Sequence, residues 1–349
     1  MPDHNPNPPY KRIATEEAWL PQEILDLYRA EIRDKTINEP GFQSLWGFFA
    51  GDNPIAKDHN RRIVGLGEER LADMDRAGID MAVIALSSPG VQIFDPATAT
   101  SLSISANDQL AEGIAKHPDR FVGLAAFSPL DPEGGAKELE RGVTKLGLRG
   151  GILNSHTLGT YMDDEKYWDV FEAAEALGVP IYLHPNTPSP QMLQPFLERG
   201  LDAAVYGFSC ETGLHALRLI VSGLFDRFPK LQIVLGHTGE ALPFWLYRID
   251  FMHTRISQSN RHPNVGRLKR KASDYLRENF YYTSSGVGDP KPIMFVQDVI
   301  GADRVMYAMD YPWQYVIEET AILDKMPVSP ETLKAFYEDN ARKVFQIGA

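Results

Sequence analysis

A rhythm constrains this chain more than any single motif: eight short apolar runs, each followed by a stretch that reads as helix or contains one. The runs are 13–15, 81–86, 120–126, 147–153, 180–185, 231–237, 279–283 and 304–309. Between them Gln22–Arg33 places Ile24, Leu27, Tyr28 and Ile32 at helical spacing, and Arg61–Ala77 does the same before Gly78 ends it. Pro132, with Asp131 as cap, opens another helix, and further helices are expected over 167–177, 213–225, 241–252 and 330–345. No Asn-Gly hairpin joins neighbouring runs. Repeated strand–helix alternation implies a parallel sheet with right-handed crossovers, and eight units close into a (β/α)8 TIM barrel. An open doubly wound sheet is the alternative. The sequence Thr15-Glu16-Glu17-Ala18 weakens it, standing where that fold carries its G-x-G-x-x-G fingerprint.

Of the 349 residues 43% are hydrophobic and 23% charged, enough for a large core. A net charge of −12 argues against nucleic acid or an anionic membrane as partner. A local metal or arginine can still attract an anionic small substrate. Cys210 is the sole cysteine, which excludes an intrachain disulfide and a thiolate cluster and suits a reducing cytoplasm. No apolar run reaches membrane-spanning length. Residues 1–10, with four prolines, read as a flexible arm rather than a secretory signal, and 11–349 as a single barrel domain. Residues 34–60 read as irregular because of Gly41, Gly51 and Pro54. Their aromatic cluster of Phe42, Trp46, Phe48 and Phe49 marks an insertion that packs over something.

The chemistry lies at the strand ends. Strand one ends in Glu16 and Glu17, strand four in Asn154 with His156 just beyond, strand five in His184, strand six in His237 and strand eight in Asp310. Tyr311-Pro312 stops that last strand. In a closed barrel these ends ring one mouth. Carboxylates and imidazoles without a thiolate suit Zn2+, Mn2+ or a similar ion. Each residue has a plainer reading: Asp310 as a helix cap, His184 bonded to a carbonyl, His237 in a turn between Gly236 and Gly239. Adjacent strand residues face opposite ways, so at most one of Glu16 and Glu17 points at the barrel axis, and the other is expected to pair with lysine or arginine. His4, His59, His117, His253 and His262 read as surface residues, His215 as structural and Cys210 as inert.

Taken with their order, Ala14-Thr15-Glu16-Glu17-Ala18, Tyr182-Leu183-His184-Pro185, Leu235-Gly236-His237-Thr238-Gly239-Glu240 and Met309-Asp310-Tyr311-Pro312 resemble the metal-dependent aromatic acid decarboxylase branch of the amidohydrolase superfamily. Ser44-Leu45-Trp46-Gly47-Phe48, Ser88-Pro89-Gly90-Val91-Gln92 and Asn154-Ser155-His156-Thr157 bring it nearest to the 5-carboxyvanillate decarboxylases. The resemblance implies an amidohydrolase-like barrel in which Glu16, His184 and Asp310 bind the ion. His237 would sit beside Asp310 and the substrate, and Phe48, Phe49, Glu240, Trp313, Arg61 and Arg62 would contact the substrate. Many superfamily hydrolases, and γ-resorcylate decarboxylase, carry a histidine where Ala18 stands; its loss favours harder ions, hence Mn2+, with Zn2+ and Mg2+ as alternatives and no organic cofactor. Phe49 replaces a tyrosine of the carboxyvanillate enzymes, and Lys57, Arg61 and Arg62 are candidates for an arginine expected after it. The implied reaction is non-oxidative decarboxylation of 5-carboxyvanillate or a related ortho-hydroxybenzoate, with Asp310 protonating the ring. A homodimer or homotetramer is expected, with the aromatic segment around Trp46 or helix 241–252 packing between subunits or within one chain. Two other readings use the same residues: a lactonase-type hydrolase with a metal-bound hydroxide and Asp310 as base, or a barrel that only binds its ligand.

Overall fold

The computed structural model describes residue 5 and residues 8–259, 261–262 and 266–348. Its strands are β1 (Ile13–Trp19), β2 (Met81–Leu86), β3 (Phe121–Gly123), β4 (Ala125–Ala126), β5 (Gly151–Asn154), β6 (Ile181–His184), β7 (Ile233–Leu235), β8 (Phe280–Thr283) and β9 (Val305–Met306). All pair in parallel, in the orders β1-β2-β3 and β4-β5-β6-β7-β8-β9. β3 and β4 are one stave interrupted at Leu124, whose amide still donates to Ile84 O at 2.9 Å. The other seam is closed by Thr15 N–H to Tyr307 O at 3.0 Å and Ala18 N–H to Tyr311 O at 2.7 Å. Eight staves therefore close on themselves, as the alternation requires.

β1 runs past the expected end at Thr15. All seven of its residues are buried, Glu16 and Glu17 included. Buried carboxylates need partners, and these two have them at the barrel mouth, so charge does not end the strand. The last strand pairs regularly only over Val305–Met306, yet residues 305–309 are all buried, as their apolar run demands.

The insertion corrects the sequence reading. Helix α1 (Gln22–Asp34) is followed not by irregular chain but by α2 (Pro40–Phe49) and α3 (Pro54–Val64). The prolines are helix starters here: Pro40 and Pro54 follow caps whose side chains accept amides, Glu39 from Phe42 and Asn53 from Ala56. The helix expected over 61–77 is two, because α3 ends at Val64 and α4 spans Glu68–Ala77, with Gly65 and Gly67 at the break. Trp46 is fully buried and its Nε1–H donates to Ser88 O at 3.1 Å, an intrachain role. Helix Leu242–Ser259 leaves Phe244 69% and Tyr247 82% exposed. The flexible-arm expectation falls partly outside the described residues; Tyr10, at its end, stacks on Tyr337 at 5.3 Å. Among the described residues no helix is long and apolar enough to cross a membrane.

Candidate metal centre and active site

Glu16 projects into the barrel mouth from the middle of β1. Its Oε2 accepts from Tyr182 Oη and from Thr283 Oγ1, the latter at 3.2 Å. Its Oε1 is buried without a donor. Gly236 makes the approach possible, since a Cβ there would lie 2.6 Å from Glu16 Oε2. His184, two residues beyond Tyr182 on β6 and so on the same face, donates Nδ1–H to Pro185 O at 2.9 Å. That fixes its tautomer and leaves the Nε2 lone pair 3.4 Å from the orphaned Glu16 Oε1. Burial holds the His184 pKa below its usual value, so the ring is neutral. Two acceptors face each other, an arrangement that calls for a cation between them. Asp310 completes the set: ligand atoms of Glu16, His184 and Asp310 lie within 4.8 Å of one another. The donors fit a hard divalent ion.

Asp310 has φ 71°, and His237, Thr238, Glu240 and Ala241 have φ between 52° and 60°. Left-handed backbone at non-glycine residues is costly and persists only where surrounding contacts impose it. Burial and the Glu16 charge raise the Asp310 pKa well above the carboxylate range, against the pull of His237. His237 donates Nδ1–H to Glu240 at 2.9 Å, and its Nε2 lies 3.7 Å from Glu16 Oε1. Burial opposes its charge, but Glu240, Glu16 and Asp310 outweigh that and raise its pKa to about 10. An ion at the centre would reduce their pull.

The centre opens into a cavity of about 310 Å3. His184, His237 and Asp310 line one end, and Phe49, Trp313 and Phe208 are among the apolar walls. Phe49 and Trp313 meet edge to face at 4.8 Å.

The profile of the amidohydrolase family matches residues 39–347. The chain belongs to that family. A γ-resorcylate decarboxylase of a Polaromonas species is 37% identical over 294 residues, 82% of this chain and 89% of that protein. A solved mutant of 5-carboxyvanillate decarboxylase from Novosphingobium aromaticivorans, with bound manganese and 3-methoxy-4-hydroxy-5-nitrobenzoic acid, is 46% identical. It has a TM-score of 0.96 and covers 99% of this chain and 100% of its own. A dihydroxybenzoic acid decarboxylase from Polaromonas sp. JS666, solved with manganese and 2-nitroresorcinol, gives 0.85 at 33% identity over 97% and 98%.

Within this amidohydrolase barrel Glu16, His184, His237 and Asp310 converge, whereas several other expected site residues stand apart. Arg61 is tied to Asp58 and Glu69, and Arg62 to Asp58 and Asp73; neither lines the cavity. Phe48 is 47% exposed and lies off the cavity, and Glu240 acts on His237 from a buried position. His156 donates to Thr187 O and accepts from Gly159 N–H. Asn154 is buried, with its amide on Gln92 Oε1. His59 is no surface residue: it is 7% exposed, its ring 4.2 Å from Trp313 and 4.6 Å from Phe49. Helix α3, unread in the sequence, carries it inward. Two supports of Glu16 were missed. Tyr182 was available from the period of two with His184, and Thr283 from its place at the end of strand seven. Glu17 accepts two backbone amides, Met309 N–H and Tyr311 N–H, each at 3.0 Å, while the expected basic residue is Arg70, whose charge acts on it without a direct ion pair.

Proposed function

We propose that this chain is a metal-dependent, non-oxidative decarboxylase of ortho-hydroxylated aromatic carboxylic acids. The observation that carries the reading is the buried Glu16–His184–Asp310 cluster opening into an aromatic-walled cavity; manganese in the solved relatives supports it. Glu16, His184 and Asp310 would hold the ion. When bound, it supplies a Lewis acid and a template for the substrate's carboxylate and phenolate oxygens. Trp313 and Phe49 flank the ring, while Tyr182 and Thr283 keep Glu16 from turning away. His237, oriented and charged by Glu240, donates Nε2–H to a substrate oxygen. Asp310 delivers a proton to the ring carbon that bears the carboxylate; burial and the Glu16 charge favour its protonated form, against the pull of His237 and of the ion. The bond from ring to carboxylate then breaks, CO2 leaves and the ring regains aromaticity. Asp310 recovers its proton from solvent.

The walls suggest the substrate class more finely. Among the described residues no lysine or arginine lines the cavity, and Phe49 offers no hydroxyl. This favours a benzoate whose one carboxylate faces the metal end and whose far substituents are apolar, over a diacid such as 5-carboxyvanillate. A cytoplasmic setting and assembly into two or four copies accord with this reading. The exposed aromatics Phe244 and Tyr247 provide a surface for assembly.

The test is a panel of hydroxylated benzoates with Mn2+, read by loss of ultraviolet absorbance and by CO2 release. Salicylate-type monoacids should turn over, and D310N should bind substrate but lose turnover by on the order of a thousandfold. No CO2 from any member, or an unimpaired D310N, would sink the assignment. A diacid turned over faster than every monoacid would refute the finer class.

A further inference from the structure

Glu17 is fully buried beside a metal ligand, yet the mechanism gives it no part. Its partners are specific. Oε1 accepts from Met309 N–H and Oε2 from Tyr311 N–H, both at 3.0 Å. These are the two amides that flank Asp310. At the same seam Thr15 and Ala18 donate their amides to Tyr307 O and Tyr311 O. The pairing of β1 shifts register between Ala14 and Glu17, which lets two consecutive glutamates serve different sites.

Asp310 cannot stay in a regular ladder, because its φ of 71° turns the chain out of the sheet. The amides on either side would then be buried without acceptors, a costly condition. One carboxylate with two oxygens satisfies both. It thereby fixes the positions of residues 309 and 311, and so the direction in which residue 310 points. Tyr311 is pinned further: its hydroxyl donates to Asp73 at 2.7 Å, and the Arg70 guanidinium lies over its ring at 4.7 Å. Arg70 in turn donates to Ala18 O at 2.7 Å, which ties the brace back to β1.

We propose that Glu17 is a positioning residue: by clamping the amides of Met309 and Tyr311 it holds Asp310 in its left-handed conformation and aims its carboxyl group at the metal centre. The inference rests on the reading of Asp310 as a ligand. Gln at position 17 keeps one acceptor and turns an amide NH2 toward the other N–H, so one jaw of the clamp opens.

The experiment is a Mn2+ titration of metal-free protein, followed by the electron spin resonance of free Mn2+, on wild type, E17Q, D310A and the double variant. E17Q should weaken Mn2+ binding by about 10–100-fold and lower kcat with little change in KM. In the D310A background, E17Q should cost no further affinity, since its effect passes through Asp310. If D310A binds Mn2+ as wild type does, the ligand reading itself fails. If D310A is weakened while E17Q stays within twofold of wild type, or E17Q costs the same factor in both backgrounds, the clamp is refuted. Should E17Q not fold, E17D, which keeps the carboxyl group but has too short an arm to reach both amides, faces the same two criteria.

Discussion

The two ends of the cavity are built on opposite principles. The metal end is polar, drawn from staves far apart in sequence, and set on left-handed backbone at Asp310 and His237. The aromatic end draws Phe49 from an inserted helix, Phe208 from the chain after β6 and Trp313 from the chain after β9, and is held by ring packing, with Phe49, His59 and Trp313 within 4.8 Å of one another. The first end depends on position to a fraction of an ångström. The second depends on shape. Reaction type should therefore be brittle and substrate range plastic, since chemistry depends on exact position and selection on shape.

Breaking the metal end should have the largest effect. Glu16→Gln replaces a ligand oxygen or sets an amide against His184 Nε2. Mn2+ retained after gel filtration should fall to near background and CO2 release with it; a full complement of tightly held ion in E16Q would contradict the site. The aromatic end should answer more mildly. Phe49→Ala should raise KM for a bulky hydroxybenzoate about tenfold while kcat changes little. A fall in kcat with KM unchanged would mean that the wall takes part in the chemistry.

The smallest effect is on stability. Burial lowers the pKa of His59 from 6.5 to about 4 and that of His215 from 6.5 to about 3, so both are neutral in the folded protein. Below pH 6.5 the unfolded chain takes up these protons while the folded one does not. The contribution of these two groups therefore falls from pH 6.5 toward the folded values, while Glu17 and Glu319, raised by burial to about 8 and about 7, gain protons in the folded chain and oppose it. The share of the two histidines in any drop of the thermal midpoint between pH 7 and 5.5 is on the order of a few degrees. His59→Phe keeps a ring against Trp313 but removes one titrating group, so its drop should be smaller. Equal drops in the two proteins would show that His59 is not buried neutral.

The same contrast explains what could be read from sequence. The barrel was legible because strand periodicity is local, and strand ends brought Glu16, Glu17, His184, His237 and Asp310 to one mouth; the choice of Glu16, His184 and Asp310 among them came from the family resemblance. The aromatic end was obscured by punctuation. Gly41, Gly51 and Pro54 look like loop residues until the caps Glu39 and Asn53 are seen to accept amides. Without those helices His59 stayed on the surface, and Arg61 and Arg62 were assigned to a cavity that they do not line. Glu17 was half legible: alternation turned it away from Glu16, but its acceptance of two main-chain amides is a tertiary fact.

The seam between the first and last staves has a further consequence. Glu16 and Asp310 lie on its two sides, joined across it by few main-chain bonds. An ion gripped by both is a removable rivet between the two termini of the barrel. Its loss would loosen that seam before any other, and hydrogen exchange at Thr15 and Ala18 would then act as a gauge of metal occupancy, readable with no substrate present.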